Sequence, residues 1–155
     1  MAKGVLKPIL LATLIAGTLD ILSAFVFAGM AGIGPVAVLR YVASGPFGEG
    51  VTPTLGWAAV GLLVHFAIMF CMAAAYIIVA PRIPVLLRHP IPAGLLYGLL
   101  LWTIMYWIVK PLRWPDAPLP HSLYGIANQL FSHCILVGLP IAVVAARYLR
   151  RRPFG

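Results

Sequence analysis

Four apolar runs follow one another along the chain, separated by short stretches rich in proline, glycine and charge. About 20 apolar residues in a helix rising 1.5 Å per residue cross a hydrocarbon core of roughly 30 Å. On that measure the pattern predicts transmembrane helices over about 5–29, 55–80, 91–111 and 121–146. The stretch from Met30 to Thr54, between the first two runs, is too long for a plain turn. Pro35 suits the first turn of a helix there and Gly45 its end, so a short outer helix is expected over about 35–44. The expected fold is all-α: a single integral-membrane four-helix bundle with a short interfacial or re-entrant helix between helices 1 and 2.

The finer pattern assigns faces. Thr13, Gly17, Asp20 and Ser23/Ala24 recur at helical spacing and give the first run one small, polar side against a Leu, Ile and Phe remainder. Small residues let a neighbouring helix approach closely, so this side is expected to point into the bundle. Gly94 and Gly98 form a GxxxG spacing in the third run, which permits the same close approach. Trp57 and Tyr76 suit the two membrane interfaces of the second run, and Trp102, Tyr106, Trp107 and Trp114 weight the far end of the third. The fourth run carries Asn128, Gln129, Ser132 and His133 and is expected to bend at Pro140.

Composition agrees with this picture. Of 155 residues, 63% are hydrophobic and 9% charged, whereas soluble domains carry about a quarter charged residues. Such a chain cannot cover itself with a hydrated surface. The net charge of +8 does not mark a nucleic-acid binder, because the basic residues stand at the ends of apolar runs rather than in one patch. Lys3, Lys7, Arg82, Arg88, Arg147, Arg150, Arg151 and Arg152 fall on one side, and Arg40, Lys110 and Arg113 on the other. That asymmetry predicts both termini in the cytoplasm, with anionic lipid headgroups gathered at the basic side. Lys3 and Lys7 imitate the start of a signal peptide, but Thr18 and Asp20 interrupt the apolar core and no good small-residue cleavage site follows; the run is expected to stay as the first span. Cys71 and Cys134 read as small buried hydrophobes.

One residue breaks the apolar pattern in a costly way. A carboxylate inside a span costs several kcal/mol unless it is paired, protonated or facing a polar cavity, and Asp20 is such a residue. Counted from the outer helix ends at 1.5 Å per residue, Asp20 lies roughly 13 Å deep, His65 and Thr103 roughly 15 Å, and His133 roughly 18 Å. These four, with Gln129 one turn from His133, form a predicted polar layer. In its plainest form the layer fixes helix register, with Asp20 protonated or hydrogen-bonded to a histidine. It is equally the composition of a proton or ion site. Two histidines on different helices could also hold haem b, or with the carboxylate a transition metal, although no local ligand spacing such as HxxxH supports either. Arg40 could dip toward Asp20; a surface pair with Glu49 is the expected arrangement, as a possible lid over the bundle. No GxSxG, HExxH or Walker loop appears and no paired carboxylates, so no catalytic residues and no enzyme are expected.

Several stretches resemble an uncharacterised family of small four-helix bacterial inner-membrane proteins, distantly YagU-like. They are Leu39-Arg-Tyr-Val-Ala-Ser-Gly45 with Gly48, Leu63-Val-His-Phe-Ala-Ile68, Arg88-His-Pro with Ala93-Gly-Leu-Leu-Tyr-Gly98, Val109-Lys-Pro-Leu112, and Ser132-His-Cys-Ile-Leu-Val-Gly-Leu-Pro-Ile141. The resemblance implies a four-helix bundle in a bacterial inner membrane and histidines at the positions of His65 and His133; at Lys110 the family more often shows an apolar residue. It implies no activity. The expected function is therefore a non-catalytic accessory subunit or oligomeric scaffold associating with itself or a larger membrane complex; the alternatives are a proton- or ion-linked transporter or channel using Asp20, His65 and His133, and then a bis-His haem or metal protein.

Overall fold

A computed structural model describes residues 4–150. The helices are α1 (Leu6–Met30), α2 (Pro35–Phe47), α3 (Leu55–Arg82, whose last residues, Ala80–Arg82, form a 3₁₀ turn), α4 (Pro84–Arg88), α5 (Pro90–Arg113) and α6 (Leu123–Leu149). There is no strand among the described residues. Four of these helices, α1, α3, α5 and α6, are long and apolar enough to cross a membrane, and the protein is an all-α bundle of membrane type. Residues 6 and 149 lie at one end of it, the termini end; α2 and the α5–α6 connection lie at the other, the lid end.

The spans follow the hydrophobic pattern to within a few residues, and the departures have local causes. α2 runs past Gly45 and through Pro46 to Phe47, where the sequence predicts an end at Gly45. A proline near the end of a helix removes only one hydrogen bond, to the carbonyl four residues back. Gly48, at φ 64°, then stops the helix in a conformation that a side chain rarely takes. α6 begins at Leu123 rather than His121 because Ser122 caps it, its hydroxyl accepting from the Gly125 amide at 3.1 Å. The basic connection before α5 is ordered as the 3₁₀ turn and α4, and Arg150 from α6 donates to the Leu87 and Arg88 carbonyls at the end of α4.

α6 is the central element, in contact with α1, α3, α4 and α5, while α1 also packs along α3. Two backbone crossings set the geometry. Gly94 and Gly98 of α5 lie directly on α6: a Cβ on Gly94 would stand 2.7 Å from the Leu139 Cα and 2.8 Å from the Gly138 carbonyl oxygen, and one on Gly98 would overlap the His133 carbonyl. The GxxxG spacing is thus used, and its counterpart is Gly138. In the second crossing α2 lies over α3, and a Cβ on Gly61 would overlap the Leu39 carbonyl oxygen. Without a strong hydrophobic drive between helices in lipid, such close backbone contact is what holds them together.

The bundle is divided along its length. At the termini end Ala12, Ala16, Ala73, Ile77, Ala80, Val137, Ile141, Ala142 and Ala145 are all 0% exposed, a dry core of small side chains. Tyr76 belongs to this core at 3% exposed; its ring packs on Tyr97 and its hydroxyl donates to the Leu86 carbonyl at 3.3 Å, in the connection that follows the span. Cys71, expected to be buried, is exposed on the outer side of α3, and Cys134 is half-buried. The polar side chains gather toward the lid end.

Because the α5–α6 crossing has no room for a methyl group, Gly138→Ala is expected to destabilise the bundle by about 2 kcal/mol or more through overpacking. Gly29→Ala, at a position with nothing within 4 Å of the new methyl, is expected to leave the apparent melting temperature in detergent unchanged; comparison of the two melting curves checks this.

Candidate functional site

The small face of α1 does turn inward. Thr13 and Gly17 are buried and Asp20 and Ser23 partly so. Thr13 Oγ1 returns to the Ile9 carbonyl at 2.8 Å, which satisfies the hydroxyl without a partner helix. Gly17 makes room for the neighbouring helix: a Cβ there would meet the Phe66 ring at 2.7 Å. Its carbonyl accepts a hydrogen bond from His65 Nε2 at 2.9 Å across the α1–α3 contact. Ser23 shares a hydrogen bond of 2.9 Å with buried Ser132 of α6.

These contacts place Asp20 between α3 and α6, within electrostatic reach of both His65 and His133. Neither imidazole is tied up by the carboxylate. His65 donates through Nε2 to Gly17, and His133 donates through Nδ1 to the Gln129 carbonyl one turn back, at 3.0 Å. A carbonyl can only accept, so the protein-bound nitrogen must carry the hydrogen. In the neutral ring that leaves Nδ1 of His65 and Nε2 of His133 as bare acceptors. The site therefore holds one carboxyl group and two nitrogen bases whose tautomers are set by backbone.

The fourth member is one that sequence reasoning assigned elsewhere. Tyr106, expected to anchor an interface, faces His133 edge-on with ring centroids 5.7 Å apart and lies within electrostatic reach of Asp20 and of Tyr41 in α2. Both rings of this pair project from π-helical stretches, Met105–Val109 in α5 and Phe131–Gly138 in α6. Each stretch precedes a proline, Pro111 and Pro140. A proline has no N–H for the carbonyl four residues back, and wider winding lets neighbouring carbonyls find donors one residue further on. π-Turns of this kind recur at functional sites. The bend expected at Pro140 takes this form, and Pro111 was the signal that could have drawn attention to Tyr106.

Other expected members fall outside the cluster. Thr103 is exposed on α5 and its hydroxyl turns back to the Leu99 carbonyl at 2.9 Å, so it is not in the layer. Counting residues along the axis carries no information about which side of the helix a residue faces. Gln129 supports the site from one step away: its Oε1 accepts from the Trp102 indole at 3.1 Å, and its backbone carbonyl orients His133. Arg40 pairs with neither carboxylate among the described residues; its Nε is buried with no hydrogen-bond partner, and Glu49 is exposed in the turn after α2.

What fastens α2 instead is Arg113, at the end of α5. Its guanidinium donates to the Ser44 carbonyl at 3.1 and 2.7 Å and to the Gly45 carbonyl at 2.5 Å. These are carbonyls in the last turn of a helix, which have no partner within it. The neighbouring Trp114 ring stacks on Tyr41, 4.7 Å between centroids and 16° between planes. Arg40, Tyr41 and Ser44 line a cleft of about 270 Å³ at this end. Lys110, where the resembling family favours an apolar residue, donates to the Pro118 carbonyl at 2.7 Å and so ties the connection to α5.

Among the described residues no three His, Cys, Asp or Glu side chains converge closely enough to hold a metal ion. No protein-family model, curated protein or solved structure matches the chain.

Removing the Arg113 fork takes away all three of its bonds to the end of α2 and leaves the Ser44 carbonyl with the Gly48 amide as its donor. Charge-assisted hydrogen bonds contribute about 1.5–3 kcal/mol, so Arg113→Ala is expected to raise amide hydrogen exchange across residues 41–50 by about tenfold or more while the spans keep their protection. Arg113→Lys, which lacks the planar fork, should recover only part of that protection.

Proposed function

We propose that this chain is a four-span inner-membrane protein in which Asp20, His65 and His133 form a proton site, working as a proton-linked carrier or channel. The carrying observation is the grouping itself: a carboxyl group within reach of two imidazoles whose remaining nitrogens are free to accept a proton. Ionisable groups gathered inside a membrane bundle are the usual material of proton relays and ion pathways. An imidazole can both accept and donate a proton, which suits it to a relay.

The division of the bundle supports a direction of access. The termini half is dry and built of fully buried small side chains, whereas Tyr106 and Tyr41 lead from Asp20 toward the cleft at the lid end. Protons enter from the lid side, and the termini half is the closed gate. With Arg82, Arg88, Arg147 and Arg150 at the termini end and Arg40, Lys110 and Arg113 at the lid end, the positive-inside rule puts the termini in the cytoplasm and the lid outside.

The test is proton uptake by proteoliposomes carrying an internal pH dye under an imposed pH gradient. Asp20→Asn and His133→Gln are each expected to lower uptake by about tenfold or more. Thr103→Val, which changes an exposed residue of the same depth, should leave it unchanged. Uptake by the Asp20→Asn protein equal to wild type, or no wild-type uptake above empty vesicles, overturns the proposal and returns the polar layer to a scaffold role.

A further inference from the structure

The termini end carries a second constructed feature, unrelated to the polar site. On α6, Val143 and Arg147 stand one turn apart and are both exposed, forming a ridge with a groove on each side. One groove, of about 520 Å³, runs between α6 and the start of α5 and is lined by Pro90, Ala146 and Arg150 beside the ridge residues. The other, of about 380 Å³, runs between α6 and α1, where Leu11, Ile15, Leu139 and Tyr148 line it. Arg147 lines both.

The two grooves have the chemistry of an apolar slot closed by cations. Leu139 lies eight residues before Arg147, so the second groove extends roughly 12 Å below the guanidinium, most of one leaflet of a hydrocarbon core about 30 Å thick. Lys7 Nζ stands 5.9 Å from the Tyr148 ring centroid, beside that groove. Arg150 flanks the other and is oriented by its hydrogen bonds to the end of α4. The chain has three acidic residues, Asp20, Glu49 and Asp116. The first is inside a span and the other two are in connections at the lid end, so no acidic side chain neutralises this cluster.

We propose that Arg147, between Lys7 and Arg150, seats the phosphate of one anionic diacyl phospholipid, whose two chains straddle Val143 with one in each groove. Charge complementarity selects the headgroup: a net negative phosphodiester gains from all three cations, whereas a zwitterionic headgroup brings its own ammonium against them. The grooves select a diacyl lipid over a free phosphate, since both lie in the size range of roughly 300–1,000 Å³ typical of ligand sites and are apolar below the arginines.

The experiment is native mass spectrometry of the full chain in a neutral detergent, titrated separately with phosphatidylglycerol, phosphatidylcholine and glycerol 3-phosphate. Phosphatidylglycerol is expected to bind at least about fivefold more tightly than phosphatidylcholine, and Arg147→Gln to lose about fivefold, on the scale of one basic residue at a membrane surface. Arg82→Gln, at the same end but bonded to the Ile78 carbonyl of its own helix, should bind like wild type. Val143→Trp, on an exposed surface where folding tolerates bulk, should displace the lipid and so decides the matter even if an arginine variant folds poorly. Equal binding of the two lipids, equal losses in Arg147→Gln and Arg82→Gln, undiminished binding in Val143→Trp, or glycerol 3-phosphate binding as tightly as the lipid would each sink the proposal.

Discussion

Removing a carboxyl group from water is the constraint on which the rest of this bundle turns. Asp20 sits on the face of α1 that packs against two other spans, so its ionisation has to be answered from within the protein. The reply is not a single tight pair. His65 and His133 are each held by a backbone carbonyl and offered to the carboxylate at longer range.

The surrounding packing serves this arrangement. The crossing of Gly94 and Gly98 on Gly138 brings α5 close enough for Tyr106 to face His133. The Ser23–Ser132 bond joins α1 to α6 beside the carboxylate. Two arginines perform matching tasks at opposite ends, Arg113 satisfying the last carbonyls of α2 and Arg150 those of α4. Each short helix is thereby attached to a span that is not its sequence neighbour. α2 is fastened to α3 by the close backbone crossing at Gly61 and to α5 by the Arg113 fork and the Tyr41–Trp114 stack, while the termini half is closed by buried small apolar side chains.

The sequence disclosed the spans almost completely, because apolar length and proline punctuation answer to the bilayer alone. It also disclosed the inward face of α1, since Thr13, Gly17, Asp20 and Ser23 share one helical stripe. What it could not disclose was azimuth in the other helices. Thr103 points away, and Tyr106, three residues on, reaches the site. Two prolines unwind α5 and α6 locally, and a reading at 100° per residue loses its bearing across such a stretch. Arg40 and Glu49 looked complementary because opposite charges stood close in sequence. The partner that α2 found, Arg113, is more than sixty residues away and answers carbonyls, which carry no sequence signal at all.

The wide winding before Pro111 and Pro140 has a further consequence for how this fold tolerates change in chain length. A π-turn stores one residue beyond what an α-helix would use over the same rise. Deleting a residue from either stretch would let the span relax to ordinary winding and keep both its length and the facing of its two halves, while the side chains within the stretch itself change direction. The membrane anchor would survive such an edit and the meeting of Tyr106 with His133 would not, so indels in these two places separate insertion from chemistry in a way that no point substitution can.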